Sequence, residues 1–147
     1  MALIYVVEDD ESIREIETIA LKNSGHEVLA FENANDFYGK INELLPDLLI
    51  LDIMLPDSDG NTIVKKLRTM TETKKLPIIM VTAKTAEVDL IRGLDNGADD
   101  YITKPFSPKI LVARVESILN NPAPLTKLSK VNVNFFFSSG STSVIFS

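Results

Sequence analysis

Four places in this 147-residue sequence carry groups that could do chemistry together: the acidic run Glu8-Asp9-Asp10, Asp52 closing the apolar stretch LLILD, the pair Thr82-Ala83, and Lys104 before Pro105. Each has a plain reading alone. Acids favour the first turn of a helix, Asp52 precedes the turn formers Pro56, Asp57 and Gly60, Thr82 suits a helix cap, and Lys104 suits a surface. Asp52 still needs a reason, because burying an unpaired carboxylate costs several kcal/mol or changes its protonation state. Taken together, three or four carboxylates, a hydroxyl and an ammonium would share one crevice, an arrangement that independent surface decoration has no reason to produce. Two carboxylates about 4 Å apart repel by about 4 kcal/mol at an effective dielectric of about 20, so a cluster of them calls for a cation. Oxygen ligands with no histidine or cysteine among them favour Mg²⁺ or Mn²⁺ over zinc. His26, the single histidine, starts a strand at the opposite edge and reads as structural.

The elements that would position these groups follow from hydrophobic patterning. Five short runs of branched apolar residues read as strands: Leu3 to Val7, Glu27 to Phe31, Leu48 to Leu51, Ile78 to Val81, and the weaker Tyr101 to Ile102. Helical spacing groups Ile13, Ile16 and Ala20, then Phe37, Ile41 and Leu44, then Ile63, Leu67 and Met70, then Val88, Ile91 and Leu94. A fifth helix, with Leu111, Val115, Ile118 and Leu119, starts at the cap-and-proline pair Ser107-Pro108. Strict alternation predicts parallel strands joined by right-handed crossovers, with helices on both faces. Ligands of such doubly wound sheets bind beyond the carboxyl ends of the strands. All four chemical places fall at strand ends on that edge.

Composition narrows the classes. With 45% hydrophobic and 24% charged residues the chain can bury one domain-sized core, with a segment left over. Twenty-one acidic against 15 basic residues give a net charge of −6, which excludes a broad electrostatic footprint for nucleic acid. There is no cysteine, hence no disulfide framework or thiolate metal site, and a cytoplasmic setting is the expectation. No span approaches the roughly 18 apolar residues of a membrane helix, so no membrane association is expected.

The fragments VVEDDESIR, LLILDIMLPDSDG, IIMVTAK and GADDYITKPFSP, in this order and spacing, closely resemble the receiver domain of bacterial two-component response regulators over about residues 2 to 120. The resemblance implies a flavodoxin-like five-stranded parallel sheet of order 2-1-3-4-5. It implies that Asp52 accepts a phosphoryl group from the phosphohistidine of a sensor histidine kinase or from a small donor such as acetyl phosphate. Glu8, Asp9, Asp52 and the backbone carbonyl of Met54 would hold Mg²⁺ (or Mn²⁺). Lys104, the Thr82 hydroxyl and the Ala83 amide would neutralise the phosphoryl oxygens, with Lys104-Pro105 as a cis peptide. Thr82 and Tyr101 would form the switch that alters the face made by the fourth helix, fifth strand and fifth helix. By the same resemblance Met54 and Lys84 would influence the lifetime of the phosphate.

Within the family, GADDYITKPFSPKILVARV looks most like the branch whose output is a winged-helix DNA-binding domain. Its receivers pair through that face on phosphorylation. Asp99, Asp100 and Arg114 match charged positions of that dimer surface, whereas Leu90 and Ile110 replace an Arg and Glu pair, and Asn121 replaces a basic residue. DNA would be reached only through an effector domain absent from these residues. The receiver is expected over residues 1–121. Residues 122–147, with two lysines and no acids, read as a linker or tail. Val131, Val133 and Phe135 with Val144 to Phe146 could pair as a hairpin, and the segment fits a truncated effector, a dimerisation strand pair or a non-native sequence equally. Two other functions compete: an Mg²⁺-dependent phosphatase using an aspartyl phosphate, against which Met54 stands where an acid/base Asp is usual, and a stand-alone receiver acting on a protein partner.

Overall fold

The structure is a computed structural model that describes residues 1–83 and 97–120. Strands β1 (Leu3–Val7), β2 (Glu27–Phe31), β3 (Leu48–Asp52), β4 (Ile78–Thr82) and β5 (Asp100–Thr103) form one parallel sheet in the order β2-β1-β3-β4-β5. The expected topology is therefore observed. Every residue of LLILD in β3 and IIMVT in β4 is buried, as central strands covered on both faces require. The edge strand β5 is only partly buried, which is why its apolar signal is weak.

Helices α1 (Glu11–Asn23), α2 (Ala34–Ile41) and α3 (Gly60–Arg68) and a C-terminal helix (Pro108–Asn120) flank the sheet. The fourth expected helix, with Val88, Ile91 and Leu94, lies outside the described residues. The chain divides into two compact units, Met1–Val115 and Glu116–Ser147, and of the second only the end of the C-terminal helix is described. The 122–147 tail, with the hairpin expected in it, lies outside the described residues too.

Alternation along the strands splits the core in two. Tyr5, Val7, Leu49, Leu51, Ile78 and Met80 pack with Phe37, Ile41, Ile63, Val64 and Leu67 of α2 and α3. The alternate positions, among them Val6, Ile50 and Val81, are buried on the other face. Full burial of each such side chain stabilises by about 1.5–3 kcal/mol.

Caps set where the helices start. Asp10 accepts from Ile13 N at 3.0 Å, Asn33 from Asp36 N at 2.8 Å, Asp59 from Asn61 N at 2.8 Å, and Ser107 Oγ from Lys109 N at 3.1 Å. The buried face of α1 differs from the expected one. Glu17 and Leu21 are buried, while Ile16 is 48% and Ile19 52% exposed. Started at Asp10, the helix turns the 13-17-21 row inward, and apolar spacing passes over that row because a carboxylate sits in it. The second and third helices end at Ile41 and Arg68, before Leu44 and Met70. Leu44 serves instead through its carbonyl, which accepts from the buried Tyr5 hydroxyl. His26 is structural, its Nδ1 accepting from Ala2 N at 3.1 Å.

Candidate functional site

The crevice at the carboxyl edge is built from the ends of β1, β3, β4 and β5. Beyond β1, Glu8 N continues the ladder by donating to Phe31 O at 2.9 Å, which fixes Glu8 at the rim. Arg14, one turn into α1, donates to the carbonyls of Glu8 at 2.8 Å and Asp9 at 3.3 Å, so the acidic turn is held from below. Asp10 becomes the helix cap, leaving Glu8 and Asp9 as the acidic pair of the site. Asp52 ends β3, only 5% exposed, and its Oδ1 accepts from Met54 N at 3.2 Å. Gly60 lets α3 start against that end, because a Cβ there would stand 2.5 Å from the Asp52 carbonyl oxygen.

Register places Asp52 beside Val81 and Thr82 beside Thr103, so the buried Thr82 stands at the neighbouring strand end with Ala83 exposed just beyond it. Lys104 N donates to Thr82 O at 2.7 Å, and the Lys104-Pro105 peptide is cis. The Lys104 ammonium lies 3.1 Å from Asp52 Oδ2 and 2.9 Å from Glu8 Oε1. The second contact is an ion pair by distance whose angle leaves Oε1 without an aligned hydrogen bond.

These placements shift protonation. Burial, together with the Asp52 carboxylate beside it, pushes the Glu8 carboxyl up to about 7. Burial works against the Lys104 charge, but the Glu8 and Asp52 carboxylates outweigh it and hold its pKa above the ordinary lysine value. Glu8, Asp9 and Asp52 each offer a carboxylate oxygen within 4.8 Å of the other two. Three carboxylates against one ammonium leave a negative excess, all oxygen and partly desolvated, and such a set fits a hard divalent cation.

Glu17 was not among the residues expected at the site. It is fully buried on α1, neither carboxylate oxygen has a hydrogen-bond partner, and burial with the Glu8 charge pushes it up to about 8. The i, i+4 spacing of Ile13 and Leu21 around it is the signal that could have found it. Asp57 is the other addition. Its carboxylate accepts from Ala34 N and Asn35 N at 2.9 Å each, and these bonds hold it below the usual carboxylate range.

Of the residues assigned to a dimer face, Asp99, Asp100, Ile110 and Arg114 lie among the described residues. Leu90 lies outside the described residues, as does Lys84. Asp99 is turned into the molecule rather than outward. Its carboxylate takes Arg68 Nη2 at 3.0 Å and Ile78 N at 2.8 Å and is 9% exposed, because the start of β4 and the Arg68 guanidinium need an acceptor there. Asp100 pairs with Arg114 at 2.8 Å within the chain, and Ile110 is 48% exposed. Tyr101 is half-buried against the core, and its carbonyl accepts from Arg114 at 3.2 Å.

Residues 4–116 match the family described as response regulator receiver domain. The phosphate regulon transcriptional regulatory protein PhoB of Escherichia coli (strain K12) is 43% identical over 122 residues, covering 83% of this chain and 53% of that protein. The DNA-binding response regulator MtrA of Mycobacterium leprae is 41% identical over 135 residues, covering 89% of this chain and 59% of its own. The chain thus spans about half the length of the curated relatives it matches. Among solved structures, a response regulator from Chloroflexus aurantiacus superposes with a TM-score of 0.78 at 38% identity, covering 82% of this chain and 98% of the other. The BeF3-activated DrrB receiver domain gives 0.74 at 34% identity, covering 82% and 99%.

Proposed function

The chain belongs to the response regulator receiver family, and on that premise we propose that Asp52 is its phosphoacceptor, with Glu8, Asp9, Asp52 and the Met54 carbonyl as the ligands of Mg²⁺ or Mn²⁺. The observation that carries this reading is the convergence of Lys104 on Asp52 and Glu8, at 3.1 and 2.9 Å, beside the three-carboxylate cluster. An Asp52 carboxylate oxygen attacks phosphorus. The new P–O bond forms as the donor's bond breaks, P–N in a phosphohistidine or P–O in acetyl phosphate. The imidazole leaves and takes a proton from water, and acetate leaves as the anion. A bound divalent cation would neutralise charge on the transferred group.

Lys104 holds the second share of that charge, and it is available because a phosphoryl oxygen can replace the Asp52 oxygen it now pairs with. The Thr82 hydroxyl and Ala83 amide, at the end of the adjacent strand, serve the remaining oxygen. Recruitment of Thr82 to the phosphate frees space for Tyr101, and the face around β5 changes with it. The partner is a sensor histidine kinase. The output is transcriptional, through an effector domain and a homodimer whose contacts include Leu90, Asp100, Ile110 and Arg114. The protein acts as a signalling domain that catalyses only its own phosphorylation and dephosphorylation.

The experiment is intact mass after incubation with acetyl phosphate and Mg²⁺. Wild type should gain one phosphoryl group, Asp52→Asn none, and Lys104→Ala or Asp9→Ala much less. Equal labelling of wild type and Asp52→Asn sinks the assignment, and rapid turnover of many phosphate esters would favour a phosphatase instead.

A further inference from the structure

The loop after β3 carries the Met54 carbonyl, and its own hydrogen bonds make it compact without anchoring its tip. Leu55 N donates to Ser58 O at 3.2 Å, Gly60 N donates to Ile53 O, and Met54 pairs with Asp59 across the loop. Among the described residues, Met54 N reaches back to Asp52 Oδ1 at the end of β3 at 3.2 Å, and the hydrogen bonds that tie residues 55 to 58 to another helix or strand are those from Ala34 N and Asn35 N to the two Asp57 carboxylate oxygens. Those amides are free donors of the first turn of α2, whose own cap, Asn33, is satisfied separately by Asp36 N. One carboxylate therefore grips two adjacent amides, with one oxygen on each, and fastens a loop to a helix 22 residues away in the chain. A carboxylate bound to amides at a helix N-terminus is favoured by both hydrogen bonding and the helix dipole.

A carbonyl ligand binds a metal well only when its direction is fixed beforehand, and groups that orient metal ligands influence affinity without touching the ion. We propose that Asp57 is a positioning residue for the metal and phosphoryl site, holding the Met54 carbonyl in place by anchoring its loop to the start of α2. The inference rests on the reading of Asp52 and Met54 given above. It assigns to α2 a part in metal binding, although no α2 side chain belongs to the carboxylate cluster.

The test compares wild type, Asp57→Ala, Asp57→Asn and Asn33→Ala by calorimetric titration with MgCl₂ and by thermal melting. Asn33→Ala is the control, because it weakens the start of α2 while leaving the loop contact. The Mg²⁺ dissociation constant should rise about tenfold in Asp57→Ala. Asp57→Asn, which retains one acceptor oxygen, should fall between Asp57→Ala and wild type. Asn33→Ala should melt lower yet bind Mg²⁺ as wild type does. An unchanged constant in Asp57→Ala, or an equal rise in Asn33→Ala, overturns the proposal, since Asp57 would then be only a helix cap. If Asp57→Ala fails to fold, the comparison of Asp57→Asn with Asn33→Ala decides in the same way. Labelling of wild type at Asp52 by acetyl phosphate is run in parallel. Its failure would bring down the phosphoacceptor reading, whereas normal labelling with unaltered Mg²⁺ affinity in the variants would bring down the role of Asp57 alone.

Discussion

Glu17 is buried at a cost that only protonation relieves. Both its oxygens lack hydrogen-bond partners, and the nearby charges that raise it, Glu8 and Asp52, outnumber the Lys104 ammonium that lowers it. In the folded protein it keeps its proton up to about pH 8, whereas in the unfolded chain it loses it near 4.5. Folding therefore gains from the retained proton fully below pH 4.5, and this gain is lost as pH rises to about 8, at about 1.4 kcal/mol per pH unit. Glu17→Leu removes the dependence. Its urea midpoint should match or exceed that of wild type at pH 8.5 by far more than at pH 5. Parallel pH profiles of the two proteins would show that Glu17 is not protonated in the fold. Glu8 belongs to the same pH range but lies in the carboxylate cluster, so a metal ion can relieve it in place of the proton. Apparent Mg²⁺ affinity should accordingly increase between pH 6 and 8, because the carboxyl held up to about 7 must deprotonate to serve as a ligand. A flat Mg²⁺ affinity across that range would exclude Glu8 from the ligand set.

At the scale of elements, Arg68 at the end of α3 is a hub for the amino edge of the sheet. It donates to Gly97 O at 2.8 and 3.0 Å, to Thr73 O at 3.1 Å and Lys74 O at 3.2 Å, and to Asp99. Gly97 itself has φ 111, and a Cβ there would stand 2.9 Å from the Arg68 side chain. Arg68→Ala leaves Asp99 buried without its cation and takes a donor from three carbonyls, of which Thr73 O keeps Leu76 N, and should destabilise by about 3 kcal/mol or more. The urea midpoint reads this, and a loss under about 1 kcal/mol would mean water replaces the guanidinium. The element level also separates what patterning can and cannot reveal. The strands were legible to within about one residue, because runs such as LLILD and IIMVT have no other use than a doubly covered sheet. Asp52, Glu8, Asp9, Thr82 and Lys104 were legible as strand-ending polar groups. The inner face of α1 was not, because Glu17 is charged and Ile16 and Ile19 are apolar yet exposed. Nor was the inward turn of Asp99, which depends on Arg68, a residue 31 positions earlier that only tertiary structure brings near.

At the scale of the molecule, the proposed dimer must form between chains of net charge −6, so its contacts have to overcome repulsion. The charged groups assigned to the face are already engaged inside one chain. Asp99 is held by Arg68, and Asp100 by Arg114 at 2.8 Å. Among the described residues assigned to the face, the apolar one is Ile110, 48% exposed, where the resemblance expects an ion-pair residue. An interface with an apolar centre responds to salt in the opposite sense to one made of ion pairs. Salt at about 1 M shortens the screening length to about 3 Å, which weakens exposed ion pairs but also suppresses repulsion between like-charged chains. Sedimentation of the beryllofluoride-treated protein should therefore show a dimer that persists or strengthens as NaCl rises from 0.1 to about 1 M. Ile110→Glu should abolish it at both salt concentrations, whereas Arg114→Ala should weaken it less. A dimer that dissociates at high salt would return the interface to ion pairs. Sedimentation only as a monomer under every condition would leave the phosphorylated face to a partner of another kind.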